Sequence, residues 1–321
     1  MMMNRTLALV TAVSLAVVGC GDDTGTRADE TRSQAAPAPP PEFWSAPADT
    51  PQQQADVAQA TREIDVCALL PRETLGDLDL GDIRSVTVGL DSCRAVLGDA
   101  GAGEVGTLTW HTTLLPTLTP SRGISKQLGD VSVLLVPGRD NDPRACGATA
   151  RFPVGAAFYL SIAVPDRDSC AVADSLLPGM IERWRQSPAQ GTSPDTVDTV
   201  LLGADPCAVR AKLADTTDTD QRRLTQCLFG YRNETVTVGY EYRVPDQLRA
   251  RGTEEKIGDR TVFRSTSLYD SSIPIYSAVV GPELPSGSTA FVPRIPVVEV
   301  TSATDDVARQ VMSEVLTLFP R

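Results

Sequence analysis

Four kinds of reactive residue stand out in this chain: seven cysteines, a lone histidine, an aspartate and threonine run, and many scattered carboxylates. The cysteines are Cys20, Cys67, Cys93, Cys146, Cys170, Cys207 and Cys227. Cys20 closes Leu15-Ala16-Val17-Val18-Gly19-Cys20, an apolar-x-Gly-Cys lipobox. In such a site the thiol takes a diacylglyceryl group, and cleavage before it makes the cysteine the new N-terminus. Removing Cys20 leaves an even set, as a disulfide framework in an exported chain requires. No Cys-x-x-Cys motif argues for redox chemistry, so structural bridges are the reading.

His111 follows Trp110 in a predicted strand. A Ser-His-Asp or Cys-His mechanism would have to use it, and no Gly-x-Ser-x-Gly elbow supplies a serine, so it reads as a strand histidine. One histidine and oxidised cysteines do not furnish a zinc site. The run Asp215-Thr216-Thr217-Asp218-Thr219-Asp220 invites a calcium loop, but the place of the bidentate glutamate falls on Gln226. It reads as a solvated, helix-capping loop, and Asp140-Asn141-Asp142-Pro143 as a turn. We therefore assign no catalytic residue, no metal and no cofactor. The 41 acidic residues leave carboxylate-pair hydrolysis to be decided by distances that a sequence does not carry.

What brings these residues anywhere useful is the leader. Residues 1–20 carry Arg5, an apolar core over 7–18 and small residues up to Gly19, the layout of a secretory signal peptide. The apolar core is shorter than the roughly 20 residues a helix needs to cross a bilayer. A net charge of −12 and a pI near 4.6 argue against nucleic acid, whose phosphates demand clustered Lys and Arg. Anionic headgroups would repel such a chain too. Its partners are then a membrane reached through the N-terminal lipid, and an unidentified envelope ligand or protein.

The expected organisation is a signal peptide over 1–19 and the lipidated cysteine with a disordered tether over 20–61. The first repeat follows over 62–187, a linker over 188–199 and a second repeat over 200–321. The tether is rich in Ala, Pro, Asp, Thr and Gln and as a coil would span on the order of 35 Å. Phe43-Trp44 is its apolar spot, read as a local dock or simple exposure.

Two repeats are visible because signals recur in order. Asp65-Val66-Cys67-Ala68-Leu69-Leu70 and Asp205-Pro206-Cys207-Ala208-Val209 each open a short helix, with an Asp N-cap and a cysteine in the first turn. Cys93 then matches Cys227, and Gly129-Asp130 matches Gly258-Asp259. Strands are predicted at 107–115, 131–136, 146–152 and 157–164 in the first half, and at 235–242, 260–265, 273–280 and 289–300 in the second. Without helical crossovers between them, each set makes an antiparallel sheet. A closing amphipathic helix follows in both halves: Val172, Leu176, Leu177, Met180, Ile181 and Trp184 share one face behind Asp168, with Pro178 expected to kink it. The other carries Val307, Val311, Met312, Val315 and Phe319 behind a Ser302-x-x-Asp305 capping signal.

The fold class expected is therefore α+β: two tandem related domains, each an antiparallel sheet with a short N-terminal and a longer C-terminal helix packed on it. The repeat favours Cys67 with Cys93 and Cys207 with Cys227. Cys146 and Cys170 are left for each other, and their second-half counterparts near Ser277 and Asp306 are not cysteines. Each bridge is worth about 3 to 4 kcal/mol by loop-closure entropy.

On Asp-x-Cys-Ala-Leu-Leu, the following Arg72-Glu73-Thr74-Leu75 and Asp168-Ser169-Cys170, the mature region resembles actinobacterial cell-envelope lipoproteins that carry a domain of unknown function. The resemblance covers the first repeat well and the second in part, since the second cysteine pair is missing there. It implies an exported, tethered α+β protein on the outer face of the cell membrane and supplies no reaction. The functional expectation is a non-enzymatic ligand- or partner-binding lipoprotein; the alternative is an envelope hydrolase using carboxylates in a cleft between the repeats.

Overall fold

A computed structural model describes residues 38–99, 105–119, 122–138, 144–268, 270–285 and 292–319. The leader, Cys20 and the expected turn at 140–143 lie outside them.

Among the described residues, runs rich in Val, Thr and Ala, punctuated by turn residues, build fourteen strands. The first half contributes β1 (Ile83–Val88), β2 (Ser92–Leu97), β3 (Gly106–Leu114), β4 (Ile124–Leu128), β5 (Val131–Pro137), β6 (Ala145–Arg151) and β7 (Ala156–Ala163). They form a seven-stranded sheet in the order β1-β2-β3-β7-β6-β5-β4. From the second half come β8 (Thr217–Arg222), β9 (Gln226–Tyr231), β10 (Glu234–Arg243), β11 (Thr253–Ile257), β12 (Arg260–Thr266), β13 (Pro274–Val279) and β14 (Ile295–Thr301). Their order, β8-β9-β10-β14-β13-β12-β11, is the same path. All pairings are antiparallel. The chain is thus mixed α+β with two sheet domains.

Matching hairpins hold the register. Gly129 (φ 65°) and Gly258 (φ 58°) open the two-residue turns joining β4 to β5 and β11 to β12, a backbone conformation glycine adopts without steric cost.

Seven strands per sheet exceed the four expected in each half. The unforeseen ones are β1, β2 and β4 and their counterparts β8, β9 and β11, on the outer flanks of the sheets. The edge strands β4 and β11 are kept polar, which discourages pairing with other chains and erases the apolar alternation of a half-buried strand; β2 and β9 lie one strand in and do alternate in burial, so edge polarity does not account for them. β4 reads Ile-Ser-Lys-Gln-Leu and β11 reads Thr-Glu-Glu-Lys-Ile. The aspartate run expected as a capping loop instead enters β8 at Thr217.

Among the described residues five α-helices accompany the sheets: α1 (Pro51–Glu63), α2 (Arg72–Gly76), α3 (Ser169–Arg185), α4 (Pro245–Arg251) and α5 (Asp305–Leu316). Contacts run from α3 to β5, β6 and β7, and from α5 to β13 and β14. Asp168 caps α3, its Oδ1 accepting from Cys170 N at 2.8 Å and Ala171 N at 3.2 Å, and the helix runs on through Pro178. In α5 the N-cap is Thr304, whose side chain accepts from Val307 N. Ser302 does not cap, because its hydroxyl donates to Glu234 at 2.7 Å.

A disordered tether to residue 61 needs correction over 38–61. Pro41–Ser45 forms a short 3-10 helix and α1 follows, started by a Thr50/Gln53 capping box with Pro51 at its first turn. Trp44 is fully buried. Its ring meets Trp184 at 5.3 Å edge-on, and its Nε1 donates to Ser187 Oγ at 3.0 Å. One tryptophan and the Val57-Ala60-Thr61 face of α1 outweigh a composition that otherwise reads as unstructured.

Candidate functional site

Asp65 is the most heavily bonded side chain in the chain's opening segment, and its residue is wholly buried. Oδ1 accepts from Cys67 N at 3.1 Å, Ala68 N at 3.3 Å and Thr196 Oγ1 at 2.6 Å. Oδ2 accepts from Gly191 N at 3.1 Å and Ser193 N at 2.8 Å. Charge-assisted bonds of this kind compensate a carboxylate taken out of water. The stretch expected as a linker is accordingly part of the fold, and Pro188 O accepts from Asp65 N at 2.7 Å.

The disulfides are Cys67–Cys93, Cys146–Cys170 and Cys207–Cys227, with Cα–Cα separations of 5.3, 5.1 and 5.1 Å. This is the pairing the repeat selects. Cys67 and Cys207 each open a 3-10 helix behind an aspartate, and Asp205 Oδ1 accepts from Cys207 N at 3.0 Å. Cys93 and Cys227 lie inside β2 and β9 rather than before a turn.

Cys93 faces Trp110 across β2–β3, and Cys227 faces Val238 across β9–β10. Counting outward, Leu90 matches Leu224, Asp91 matches Thr225 and Thr112 matches Tyr240. All six line one void of about 10 Å³. Each half makes the same backbone bond there: Thr112 N donates to Asp91 O at 2.9 Å, and Tyr240 N to Thr225 O at 2.9 Å. Equivalent turns of the two halves therefore meet at a seam, as matching surfaces do in a two-fold pair. Leu90 packs against both hydrophobic cores.

Polar side chains break this symmetry. Arg62, at the end of α1, reaches Asp205 at 3.3 Å and Gln59 Oε1 at 2.9 Å. Tyr240 donates to Asp205 O at 3.4 Å. Burial pushes the Tyr240 hydroxyl well above the usual phenol range, helped by the Asp205 charge. It also raises the Asp91 carboxyl, which the nearby His111 partly offsets. A void this small admits no sugar or peptide, so the cleft gathering carboxylates that a hydrolase needs is not found at the seam.

His111 sits half-buried in β3 on the face away from Trp110. Desolvation holds its pKa below the ordinary value against the pull of Asp91, so the imidazole is neutral at pH 7. Ser92 lies directly across β2–β3 from it, a neighbour that sequence order alone does not reveal. That serine hydroxyl instead lies against Gly89, where a Cβ would stand. Among the described residues no hydrogen bond joins the imidazole to Ser92 or Asp91.

A second hollow of about 420 Å³ opens to solvent between α2 and the start of α3. Asp77, Leu78, Arg167, Asp168, Val172 and Ser175 are on its walls, and Arg167 Nη1 donates to Leu78 O at its rim. Its volume lies within the range of small-molecule sites. Among the described residues no group of three or more His, Cys, Asp or Glu is placed to hold a metal ion, and no helix is long and apolar enough to cross a membrane. The three disulfides fit an extracytoplasmic location. No protein-family model, curated protein or solved structure matches this chain.

Proposed function

We propose that this protein is an envelope lipoprotein, anchored through diacylated Cys20 on the outer face of the cell membrane, that binds a ligand or partner without chemistry. The carrying observation is the cysteine arithmetic: three disulfides use six of the seven cysteines, and the one left over stands in a lipobox behind a signal sequence. Export supports bridge formation, and more than one acyl chain gives stable attachment where a single chain gives only marginal binding. We read each half as one helix–sheet–helix unit, and the first half as the closer likeness to the actinobacterial lipoprotein family. With the seam void too small for one, the open hollow beside α2 and α3 is the place for a small ligand.

Fractionation of cells carrying Cys20→Ala tests the anchor. The wild type is expected in the membrane fraction and the detergent phase, and the variant in the soluble fraction. A variant that stays membrane-bound would sink the lipidation reading.

A further inference from the structure

The seam void joins three independent observations. Its volume, about 10 Å³, is at the lower bound of what holds one water molecule. Arg62 lines it with a side chain only 10% exposed. Arg62 Nη2 is taken up by Gln59 and Asp205, while Nε is buried and has no partner. Arg185 and Arg210 also bury an unpartnered Nε, but of the three only Arg62 lines this void. Around it stand Asp91, Thr112, Thr225 and Tyr240, each with a side-chain oxygen able to accept a proton. Tyr240 gives its own proton to Asp205 O, which leaves its lone pairs available.

We propose that this void is a built site for one water molecule, which accepts from Arg62 Nε and donates across the seam to the second half. The chemistry selects the occupant. An anion would meet one unpaired donor and the Asp91 carboxylate, and a cation would meet a guanidinium. Water alone both accepts from Nε and supplies two protons to the oxygens opposite. Apolar voids stay dry, whereas in this one Arg62, Asp91, Thr112, Thr225 and Tyr240 stand beside the apolar Ile64, Leu90 and Leu224. Its local symmetry also points to a purpose, since Arg62 stands where the second half has Leu202, and Asp91 where it has Thr225. The first half supplies the donor Arg62, the acid Asp91 and Thr112, and the second supplies Thr225 and Tyr240. Water held between them ties α1 to the second sheet with bonds that neither half makes alone.

A crystal structure of the mature chain at a resolution that shows ordered water, together with oxygen-17 relaxation dispersion counting long-lived internal waters, decides this. The expected result is one water within hydrogen-bond distance of Arg62 Nε and of Thr225 or Tyr240, and a count that falls by one in Arg62→Lys. That variant keeps a cation toward Asp205 and lacks the Nε donor. An empty void, an Nε bonded directly to a protein atom, or a water whose partners all come from one half would overturn the proposal. If Arg62→Lys does not fold, the wild-type structure still gives the answer.

Discussion

The two halves solve one mechanical problem, fastening a closing helix to a sheet, with different chemistry. Register places Cys146 of β6 opposite Pro274 of β13 in the repeat, three residues from Ser277, where sequence comparison put the counterpart. Helix starts place Cys170 of α3 at Asp306 of α5. Where the first half has a covalent bridge, the second has a polar clasp. Arg264 of β12 grips Asp305 with two bonds, at 2.6 and 2.8 Å, and Tyr276 of β13 donates to the same carboxylate at 2.9 Å. A second fastening is kept with its charges exchanged. Lys126 of β4 pairs with Asp174 of α3 in the first half, and Glu255 of β11 with Arg309 of α5 in the second. Lys126 and Glu255 hold equivalent places, each nine residues before equivalent partners of the central strands, Leu135 and Arg264. The helix-to-edge contact thus survives although neither charge does, which shows that position, not residue identity, is what the fold demands.

This contrast can be broken first at the opening aspartates. Asp65→Ala removes the acceptor of five donors, three of them in buried bonds, and should cost about 3 to 5 kcal/mol of stability, since the buried amides are left unsatisfied. Asp205→Ala, at a side chain 38% exposed, should cost about 1 to 2 kcal/mol. Urea unfolding of both variants reads the difference, and equal losses would show that the two caps are equivalent after all.

Next in size is the clasp against the bridge. Replacing Cys146 and Cys170 together by serine should destabilise the chain by about 2 to 4 kcal/mol. Arg264→Met should cost below about 1 kcal/mol, because Asp305 is half-exposed and water screens such pairs. Thermal unfolding with and without reductant separates them: reductant should lower the Tm of wild type and Arg264→Met, and leave the difference caused by Arg264→Met unchanged.

Acid sharpens the same comparison. Arg264 holds the Asp305 carboxyl below its ordinary value, with Tyr276 assisting. A carboxylate with a depressed folded pKa contributes stability that is complete above its unfolded value and is lost as pH falls through the folded value. Between wild type and Arg264→Met, the stability gap should therefore close on acidification below the carboxylate range. A gap that is flat with pH would mean the clasp carries no net electrostatic energy.

The smallest effect concerns the exchanged ion pair. A double-mutant cycle on Lys126 and Asp174 should give a coupling of about 0.2 to 1 kcal/mol that fades with salt. The swapped double variant Lys126→Glu with Asp174→Arg should retain most of it, as the second half already does.

Much of the architecture was legible because strong local signals recur. Two Asp-x-Cys openings, two Gly-Asp hairpins and two amphipathic closing helices announce a repeat and, with it, the disulfide pairing. Central strands such as β3, β7, β10 and β14 were readable, since burial on one face enforces alternation. Edge strands were not, because a charged, half-solvated strand has no such pattern. Nor was the seam, whose lining residues Leu90, Thr112, Leu224 and Tyr240 carry no motif. At Trp44 the local dock is the alternative that holds, and the surrounding composition hides it: composition averages over a window, whereas a single fully buried ring orders its neighbours.

By itself the sequence determined the repeat, the pairing of cysteines and the sheet-forming core of each half, for these depend on local capping, periodicity and parity. Only the tertiary structure decided that α1 belongs to the fold, that Asp65 binds the segment between the repeats, and that equivalent turns meet around one small void. Those outcomes rest on contacts between residues far apart in the chain, and such contacts follow from how complete elements pack rather than from any short run of residues.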